Sequence, residues 1–556
     1  MIVHVRTNDD DRTLHLGNHG GVRTVSDHLR KAGMPLNTRC AGRGLCDGCR
    51  VGLTSGRLIH TATGDQVNAN GQAILLRACE HRFDGGEVTL TVPDRSLTRY
   101  RPQVLTDFQL AVPCGRAPIH GRNEGLGIAI DIGTTTVALV LVDLASGAVL
   151  GQAAGFNRQI DYGDDVLTRI NLCLVNPNMI GRMQEALVNE TLAPLMDQAI
   201  TAANVKRQDL AVLTATGNST MLHLLAGVNP ASMGLYPFTP TFLEHRTMAL
   251  SELDFRWPGE HSTDPRLAQV MVHLMPGAAA YVGADIMAGA VASSMAYDPG
   301  PALLVDVGTN GEILLKLGDQ LTGCATAAGP AFEGSRLADG MRAGDGAVAH
   351  IQFDPDSWQI TCQVIGGGQP AGLCGSAYVD FLAEGARHGF LLPGARFNPD
   401  HPAMAHLVRQ LNCHANCFAV AKRRDGQAIC VTEADLASLL QAKAAIAAGI
   451  MTLLRNKGLT PADVKTLYLA GGFGMHMNTA NAIRCGLLPG FTLDQVKLVG
   501  NSALAGAFAA LIDRGLLDEM KHTADRTTIV ELNLEPGFED CFIDHLTLEV
   551  EQAETV

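Results

Sequence analysis

The sequence predicts an α/β fold in which two related halves follow a small separate module. The first observation is the stretch around Asp131, where an apolar, β-branched run enters a turn of one glycine and three threonines and a second apolar run leaves it. The same pattern returns around Asp306. The third observation is a cluster of cysteines before residue 80, within a segment that lacks this pattern. Together they indicate a duplicated α/β unit behind a cysteine-containing domain.

The first turn holds a carboxylate, a glycine and hydroxyls. Asp131 ends a strand that reads as buried, and a charge there is costly unless a partner, usually a bound cation, stabilises it. Gly133 lets the backbone approach a ligand closely. Thr134 and Thr135 offer N–H and O–H donors that suit phosphate oxygens. The residues therefore predict a site for a phosphate group and a cation.

The second turn and a later glycine turn extend the pattern. The second turn contains Asp306, Gly308, Thr309, Asn310 and Gly311. The later one follows a short apolar strand and contains Gly471, Gly472 and Gly474. Two similar units within one chain indicate an internal duplication. A single Asp-x-Gly-Thr is a common hairpin turn, but two of them followed by a glycine turn are a specific signal. The chain has no Gly-Lys dipeptide, which excludes a Walker P-loop.

These three stretches resemble the phosphate 1, phosphate 2 and adenosine motifs of the sugar kinase, Hsp70 and actin (ASKHA) superfamily. The resemblance implies a two-lobed ATPase domain that clamps ATP and Mg²⁺ between its lobes. It implies that Asp131 and Asp306 position Mg²⁺ and the attacking water. It further implies the following cofactor-binding residues: Gly133, Thr134, Thr135, Gly308, Thr309, Asn310 and Gly311 at the phosphates, and Gly471, Gly472 and Gly474 in the adenosine motif.

Four cysteines near the N-terminus have the spacing of cluster ligands. Cys40, Cys46, Cys49 and Cys79 form the pattern C-x5-C-x2-C-x29-C, and the first three share a loop with three glycines. Four thiolates are the ligand set of a [2Fe–2S] cluster. The segment resembles a ferredoxin-type domain of β-grasp fold, and its first gap is similar to that of the adrenodoxin group. A structural zinc site and reduced structural cysteines remain the alternatives.

Length and composition predict several domains. We expect a ferredoxin-type domain at 1–95, a linker at 96–125, ASKHA lobes at 126–290 and 291–530, and an acidic, strand-like tail at 531–556. The net charge of −14 argues against nucleic acid and membrane surfaces as partners. We find no apolar stretch that reads as a transmembrane helix and no signal sequence at the start, so the cytoplasm is the expected compartment.

Four other features have ordinary structural explanations. Asp164 and Asp165 precede a predicted helix and are expected to cap it, with contact to a nucleotide or partner as the alternative. His223 is expected to be a core histidine, and Cys374 a buried thiol rather than a nucleophile. A metal site at Cys413, His414 and Cys417 is the less favoured interpretation, because no second ligand pair follows.

The order of the domains resembles the reductive activators of corrinoid proteins. In this family an N-terminal [2Fe–2S] domain precedes an actin-like ATPase, and the resemblance runs from Cys40 to about Phe508. It implies ATP-dependent electron transfer to Co(II), which regenerates Co(I) for methyl transfer. Some members have an additional middle domain, and the stretch of about 30 residues between the two predicted domains is too short for one.

The resemblance also implies the partners. They are a corrinoid protein of a methyltransferase system and a low-potential electron donor, and the chain is expected to form a homodimer. Two other functions remain as alternatives. One is an ATP-dependent activator of an acyl-CoA dehydratase or reductase, whose members usually hold a [4Fe–4S] cluster between two subunits. The other is a redox-sensing actin-like protein with a degenerate nucleotide site.

Overall fold

The computed structural model describes residues 1–549 except 8–9, 17–23, 35, 37–41, 43, 45–47, 94–95, 97–107, 263, 309, 336, 410–415, 425 and 473–476. Cys40, Cys46, Thr309, Gly474, Cys413 and His414 lie outside the described residues. The described part of the chain contains three six-stranded sheets and two small ones, with helices packed on them. The predicted α/β class is confirmed.

The N-terminal sheet has the strand order β2-β1-β6-β3-β4, and β5 pairs with β3. Its first and last strands, β1 and β6, run parallel, as expected for the β-grasp fold, and the other pairs are antiparallel. Thr24 begins α1 with a capping box to Asp27. The elements are β1 Ile2–Arg6, β2 Asp11–His15, α1 Val25–Lys31, β3 Arg50–His60, β4 Gln66–Arg77, β5 His81–Phe83 and β6 Glu87–Thr91.

The middle sheet has the order β11-β12-β10-β7-β8-β9. Strands β7, β8 and β9 form an antiparallel meander, and β10 and β12 are added in parallel on the other side of β7. Its central strands are almost entirely buried, which explains their continuous apolar sequences. The strands are β7 Leu126–Ile132, β8 Thr136–Asp143, β9 Val149–Phe156, β10 Leu210–Gly217, β11 Arg246–Ala249 and β12 Met271–Leu274.

Two helices of the middle region begin at short polar residues. Asp165 caps α2 and Asn218 caps α5, each by accepting a hydrogen bond from a backbone N–H of the first turn. The elements are α2 Val166–Val175, α3 Asn178–Leu187, α4 Ala193–Ala203, α5 Ser219–Leu225 and α6 Ala284–Ala292.

The C-terminal sheet repeats the middle sheet. Strands β13, β14 and β15 form the meander, and β22 and β23 are added in parallel beside β13. The order is β23-β22-β13-β14-β15-β24, so the duplication predicted from the two turns is present in the topology. The strands are β13 Ala302–Val307, β14 Gly311–Leu317, β15 Gln320–Thr326, β22 Thr466–Ala470, β23 Val496–Gly500 and β24 Thr527–Ile529.

Two three-stranded sheets and several helices complete the C-terminal part. The small sheets are formed by β16 Ala347–Phe353, β17 Ile360–Val364 and β18 Gly372–Leu373, and by β19 Leu407–Arg409, β20 Asn416–Lys422 and β21 Ala428–Thr432. The helices are α7 Gly375–His388, α8 Glu433–Asn456, α9 Thr479–Arg484, α10 Ser502–Ile512, α11 Arg514–Arg526 and α12 Phe538–Asp544.

Helix α10 belongs by packing to the middle sheet, although it follows the last parallel strand of the C-terminal one. Its apolar side chains share a buried core with β7 and β10. It also crosses α6 closely, because a Cβ at Gly506 would lie 2.6 Å from the carbonyl oxygen of Ala288. The close crossing of α6 and α10 therefore joins the middle sheet to the C-terminal sheet. A cleft between the two sheets lies beside this crossing.

Helix α8 and the tail bear on two of the expectations above. Helix α8 is long and apolar enough to cross a membrane, with a mean hydropathy of 1.5, but 78% of its most apolar window is buried in the protein, as in a core helix. The tail is not strand-like where it is described, because residues 538–544 form α12. Tertiary contacts explain this: Arg455 of α8 donates to the carbonyl of Gly537, and Lys443 donates to that of Thr547.

Candidate nucleotide and cluster sites

The two Asp-x-Gly-Thr turns face each other across a cleft between the middle and C-terminal sheets. A cavity of about 220 Å³ lies between them. Its walls include these residues proposed from the sequence: Asp131, Gly133, Thr134, Thr135, Asp306, Gly308, Asn310, Gly471 and Gly472. Residues far apart in the chain thus meet at one site, because each turn ends a central strand at the same edge of its sheet.

The first turn is a tight hairpin connection. The Gly133 N–H donates to the Thr136 carbonyl at 2.9 Å, and a Cβ at Gly133 would lie 2.6 Å from that oxygen, so a side chain does not fit. The Thr134 hydroxyl accepts a hydrogen bond from Asn218 at 3.0 Å, which leaves its own proton to donate. The Thr135 hydroxyl donates to Glu333 of the C-terminal part at 2.7 Å.

A fully buried arginine supports this turn from below. Arg169 of α2 donates to the carbonyls of Thr134 and Gly163 and to the side chain of Gln159. Burial lowers its pKa to about 10, so it stays protonated at neutral pH. Arg169 was not predicted as a site residue, although an arginine on an otherwise apolar helix face was a visible signal in the sequence.

The second turn presents a carboxylate pair. Asp306 and Glu312 lie opposite each other in the β13–β14 hairpin, and both line the cavity. Asn310 closes the turn by accepting the Gly308 N–H at 3.0 Å. Gly311 lies outside the cavity lining and packs on β15, where a Cβ would lie 2.6 Å from the Thr326 hydroxyl oxygen. Glu312 was not proposed as a site residue, although its place opposite Asp306 follows from the hairpin register.

Four carboxyl groups line the cavity, Glu312 buried and the other three half-buried, and their pKa values are raised. Burial, together with the neighbouring acids, raises the pKa of Asp131 and of Asp306 to about 7. Burial raises the pKa of Asp285 to about 6 and that of Glu312 well above its ordinary value. A cation beside these groups would favour their ionised forms. Asp285 begins α6 and was read from the sequence only as part of a helix start.

Gly471 lies against the second turn. Its φ is 92°, and a Cβ there would lie 2.5 Å from the Oδ1 atom of Asp306. Across the cavity, Asn501 donates to the Asp131 carboxylate at 2.9 Å. Gly471 directly follows β22 and Asn501 directly follows β23. The ends of these two strands therefore contact the same two aspartates.

The described residues contain no group of three metal-ligating side chains close enough to hold a metal ion. Mg²⁺ in nucleotide sites is usually bound by one or two carboxylates together with phosphates and water. Asp131 and Asp306 supply that number, so the residues present fit Mg²⁺ bound with ATP.

Two of the four N-terminal cysteines are described, and the hairpin of β3 and β4 brings them to the same end. Arg50 pairs with Arg77, and the Ala78 N–H donates to the Cys49 carbonyl at 3.1 Å. Both side chains are buried. Gly42, with φ of 72°, comes close to Cys79: a Cβ there would lie 3.8 Å from the Cβ of Cys79. Two sheltered thiols beside a glycine-containing loop fit the ligand set of an iron–sulfur cluster.

Two family models match most of the chain. Residues 126–298 match the family model of the RACo middle region, and residues 300–556 match that of the C-terminal domain of RACo, the ASKHA domain. The chain belongs to the RACo family. The predicted ASKHA resemblance is thereby confirmed. The stretch predicted as the first ATPase lobe, residues 126–290, coincides with the match to the RACo middle region.

Two relatives cover nearly the whole length of this chain, and a third covers about three quarters of it. A solved structure of a reductive activator for a corrinoid, iron–sulfur protein is 27% identical, with a TM-score of 0.69, and covers 99% of this chain and 98% of its own. The corrinoid activation enzyme RamQ of Eubacterium limosum is 28% identical over 93% of this chain and 95% of its own. A [Co(II) methylated amine-specific corrinoid protein] reductase of Methanosarcina barkeri is 24% identical over 72% and 73%.

Of the other sequence-based interpretations, those of His223, Cys374 and Asp165 are confirmed and that of Asp164 is wrong. His223 is a buried histidine whose ring nitrogens contact the Ser219 carbonyl and the Thr241 N–H. Cys374 is a buried thiol, and burial raises its pKa. Asp165 is a helix cap, as expected, whereas Asp164 forms a buried ion pair with Arg342 at 3.2 Å across the cleft. The cap interpretation was therefore wrong for Asp164, because its partner is distant in the sequence.

Proposed function

We propose that this chain is an ATP-hydrolysing reductive activator of a corrinoid protein. It would pass an electron from a [2Fe–2S] cluster to Co(II) and so regenerate Co(I) for methyl transfer. The observation that carries the proposal is the cavity between the two Asp-x-Gly-Thr turns, on the same chain as the sheltered Cys49 and Cys79. Membership of the RACo family and the names of the two curated relatives support it.

Each part of the cavity has a proposed role toward ATP. The carboxylates of Asp131 and Asp306 hold Mg²⁺ and orient the attacking water. The hydroxyls of Thr134 and Thr135, the side chain of Asn310 and the backbone N–H groups of both turns contact the phosphates. Thr309, which lies outside the described residues, is proposed with them from the sequence. Gly471 and Gly472 form the wall toward the adenosine, and Gly474, which lies outside the described residues, is proposed with them from the sequence. Gly311 supports the second turn by packing and is not proposed as a direct contact.

Cys40, Cys46, Cys49 and Cys79 are the proposed cluster ligands. The cluster supplies a one-electron carrier when it is bound. Burial of Cys49 and Cys79 would exclude water from the sulfur atoms, and Gly42 lets the loop backbone approach them without a side chain between. We further propose the domain limits given above for residues 1–95 and 96–125.

ATP can drive the uphill electron transfer only through a difference in affinity. A ligand shifts an equilibrium by the ratio of its affinities for the two states. ATP binding must therefore favour an arrangement of the middle and C-terminal sheets that also favours the reduced corrinoid. Helices α6 and α10, which cross tightly at Gly506, are the elements through which such a movement would pass.

The first test removes the proposed Mg²⁺ ligand. Asp306→Asn should abolish ATP hydrolysis and ATP-dependent conversion of Co(II) to Co(I), followed by the absorbance of a corrinoid protein under a strong reductant. The matched control is Asp319→Asn, which changes the same charge in an exposed turn of the same sheet and should retain both activities. Wild-type protein that leaves the Co(II) spectrum unchanged with ATP would refute the proposed function.

The second test concerns the cluster. Cys79→Ser should lose iron and the electron paramagnetic resonance signal of the dithionite-reduced protein, and with them Co(II) reduction, while ATP hydrolysis remains. Cys362→Ser, at a half-buried thiol in β17, is the control and should keep its iron. A [4Fe–4S] signal in the wild type would contradict the assignment and favour a dehydratase-type activator.

The proposal includes partners and location. We propose a corrinoid protein as the electron acceptor, a separate low-potential protein or flavin as the donor, a homodimeric state and a cytoplasmic location. Pull-down of a corrinoid protein from the source organism tests the acceptor, and light scattering of the purified protein tests the dimer.

A further inference from the structure

Thr135 has a hydrogen-bond partner that a phosphate site does not need. Its hydroxyl, 8% exposed at the cavity wall, donates to the Oε2 atom of Glu333 at 2.7 Å. Glu333 comes from the other side of the cleft, at the end of a short 3-10 turn after β15. A hydroxyl has a single proton, so it donates one strong hydrogen bond at a time. Donation to Glu333 and donation to a phosphate oxygen therefore exclude each other.

The position of Glu333 is well defined. Gly334 follows it with φ of 70°, and a Cβ there would lie 2.4 Å from the Met341 carbonyl, so the turn has little freedom. The guanidinium of Arg342 lies 4.0 Å from the Glu333 carboxylate and also pairs with Asp164 at 3.2 Å. Arg342 and Asp164 are 5% and 3% exposed, respectively. Glu333 thus belongs to a buried charged group that joins the two sides of the cleft.

We propose that Glu333 sets the preference of this site between nucleoside triphosphates and diphosphates, by competing with the terminal phosphate for the Thr135 hydroxyl. A carboxylate oxygen and a phosphate oxygen are similar acceptors, and both are negative, so they would repel each other if both lay beside the Thr135 hydroxyl. ATP carries one more phosphate than ADP toward the two turns. The cost of meeting Glu333 is therefore larger for ATP than for ADP.

The competition has a mechanical consequence. Binding of a phosphate at Thr135 requires the Glu333 carboxylate to withdraw, which breaks a direct contact between the two sides of the cleft. The Arg342–Asp164 pair does not use the Thr135 hydroxyl and would persist. ATP binding would then replace the Thr135–Glu333 hydrogen bond with a hydrogen bond from Thr135 to the phosphate. The Arg342–Asp164 pair would still join the two sides of the cleft. This inference rests on the proposed nucleotide site.

The test measures binding of nucleotides without any corrinoid protein. Titration calorimetry with Mg²⁺ compares a non-hydrolysable ATP analogue and ADP on wild type and Glu333→Gln. Gln keeps the size of the side chain and loses the charge. We expect at least threefold tighter binding of the ATP analogue and less than a twofold change for ADP. A residue that only holds the two sides together would give the opposite sign, that is, weaker binding.

The matched control is Glu384→Gln. Glu384 is a carboxylate of the same part of the chain, 9% exposed, and is paired with His388 at 3.3 Å away from the cavity lining. Its variant should bind both nucleotides like the wild type. If Glu333→Gln does not fold, as judged by its thermal melt, Glu333→Asp replaces it, because the shorter side chain withdraws from Thr135 and should also tighten ATP binding.

The outcomes separate the two proposals. If the wild type binds nucleotide and the Glu333 variant binds the ATP analogue no more tightly, this inference is overturned and the proposed function stands. Equal tightening for ADP and the ATP analogue also overturns it, because the preference is then unchanged. If no form binds nucleotide, the proposed function fails and this inference fails with it.

Discussion

Asp131 and Asp306 are aspartates at the ends of buried strands, and their environment makes them weak acids. Desolvation disfavours the charged form, and the nearby Asp285 adds repulsion, so both pKa values rise from 3.8 to about 7. Only the ionised form binds a cation well. At neutral pH each aspartate is thus close to half ionised, and a bound cation would shift it to the ionised form.

This predicts a pH-dependent stabilisation by MgATP. The folded-state pKa lies above the unfolded value, so between about pH 4 and 7 the folded protein holds more protons, and the stability from these two groups declines as pH rises. Added MgATP opposes that decline. Its increase of the melting temperature should be larger at pH 8 than at pH 6, by about 2 °C, because deprotonating two groups of pKa about 7 costs about 3 kcal/mol more at pH 6. Asp131→Asn should reduce this difference, and equal stabilisation at both pH values would contradict the raised pKa values.

A second prediction at this scale uses two glycines. Gly471 and Gly458 both have positive φ, of 92° and 66°, so alanine at either should cost about 1 kcal/mol of unfolding free energy. At Gly471 the new Cβ also meets the Asp306 carboxylate, whereas at Gly458 nothing lies within 4 Å. Gly471→Ala should therefore lower the kcat of ATP hydrolysis at least tenfold, and Gly458→Ala should not. Equal kcat values for the two variants would show that the contact with Asp306 is unimportant.

At the scale of elements, the same meander of three strands is supported differently in its two copies. The first turn rests on Arg169 of α2, whose guanidinium satisfies two backbone carbonyls beneath it. The second turn rests on β15, where Gly311 allows close contact with Thr326. The turn geometry is shared, but the support is specific to each copy because the covering helices differ.

Replacing the buried arginine tests the first kind of support. Arg169→Met leaves the carbonyls of Thr134 and Gly163 without their donor in the interior, so the free energy of unfolding should fall by about 2–4 kcal/mol. The KM for ATP should rise, since the first turn, which is proposed to bind phosphate, loses the side chain that supports it. Arg182→Met, at an exposed arginine of α3, should change neither quantity. Denaturant unfolding and steady-state ATPase assays measure both, and an unchanged KM would restrict Arg169 to a purely structural role.

At the scale of the whole molecule, the N-terminal domain meets the middle region through charge. Arg30 of α1 lies 3.8 Å from Asp161, which is 17% exposed and precedes the Asp164 that pairs across the cleft. In the first turn of α1, the Ser26 N–H donates to the Ala78 carbonyl, next to Cys79. A short series of contacts thus connects the nucleotide cleft with the cysteine site.

Charge exchange tests this connection. Arg30→Glu should reduce ATP-dependent Co(II) reduction about two- to fivefold, because a partly buried ion pair becomes repulsive, and ATP hydrolysis should be unchanged. Adding Asp161→Arg should restore the rate. Arg12→Glu, at an exposed arginine that pairs with Asp10 in the same domain, is the control. Failure of the exchanged pair to restore the rate would assign the loss to misfolding of α1 instead.

The fold was largely predictable because its signals are local. Alternation of apolar runs, the glycines of the turns and the cap at Asp165 each act within a few residues, so the meanders and the start of α2 could be read directly. The tail could not, because α12 depends on contacts with α8. The packing of α10 on the middle sheet could not be predicted either, since the sequence of an apolar helix does not show which sheet it will pack on.

The sequence by itself determined the two turns, the glycines that only a tight turn explains, and the spacing of the cysteines. Only the tertiary structure decided which distant side chains share the cleft: Asp285 and Asn501 beside the two aspartates, and Glu333, Arg342 and Asp164 across it. The physical reason is that a turn needs only neighbouring residues, whereas a buried charge needs a partner, and folding brings that partner from a distant part of the chain.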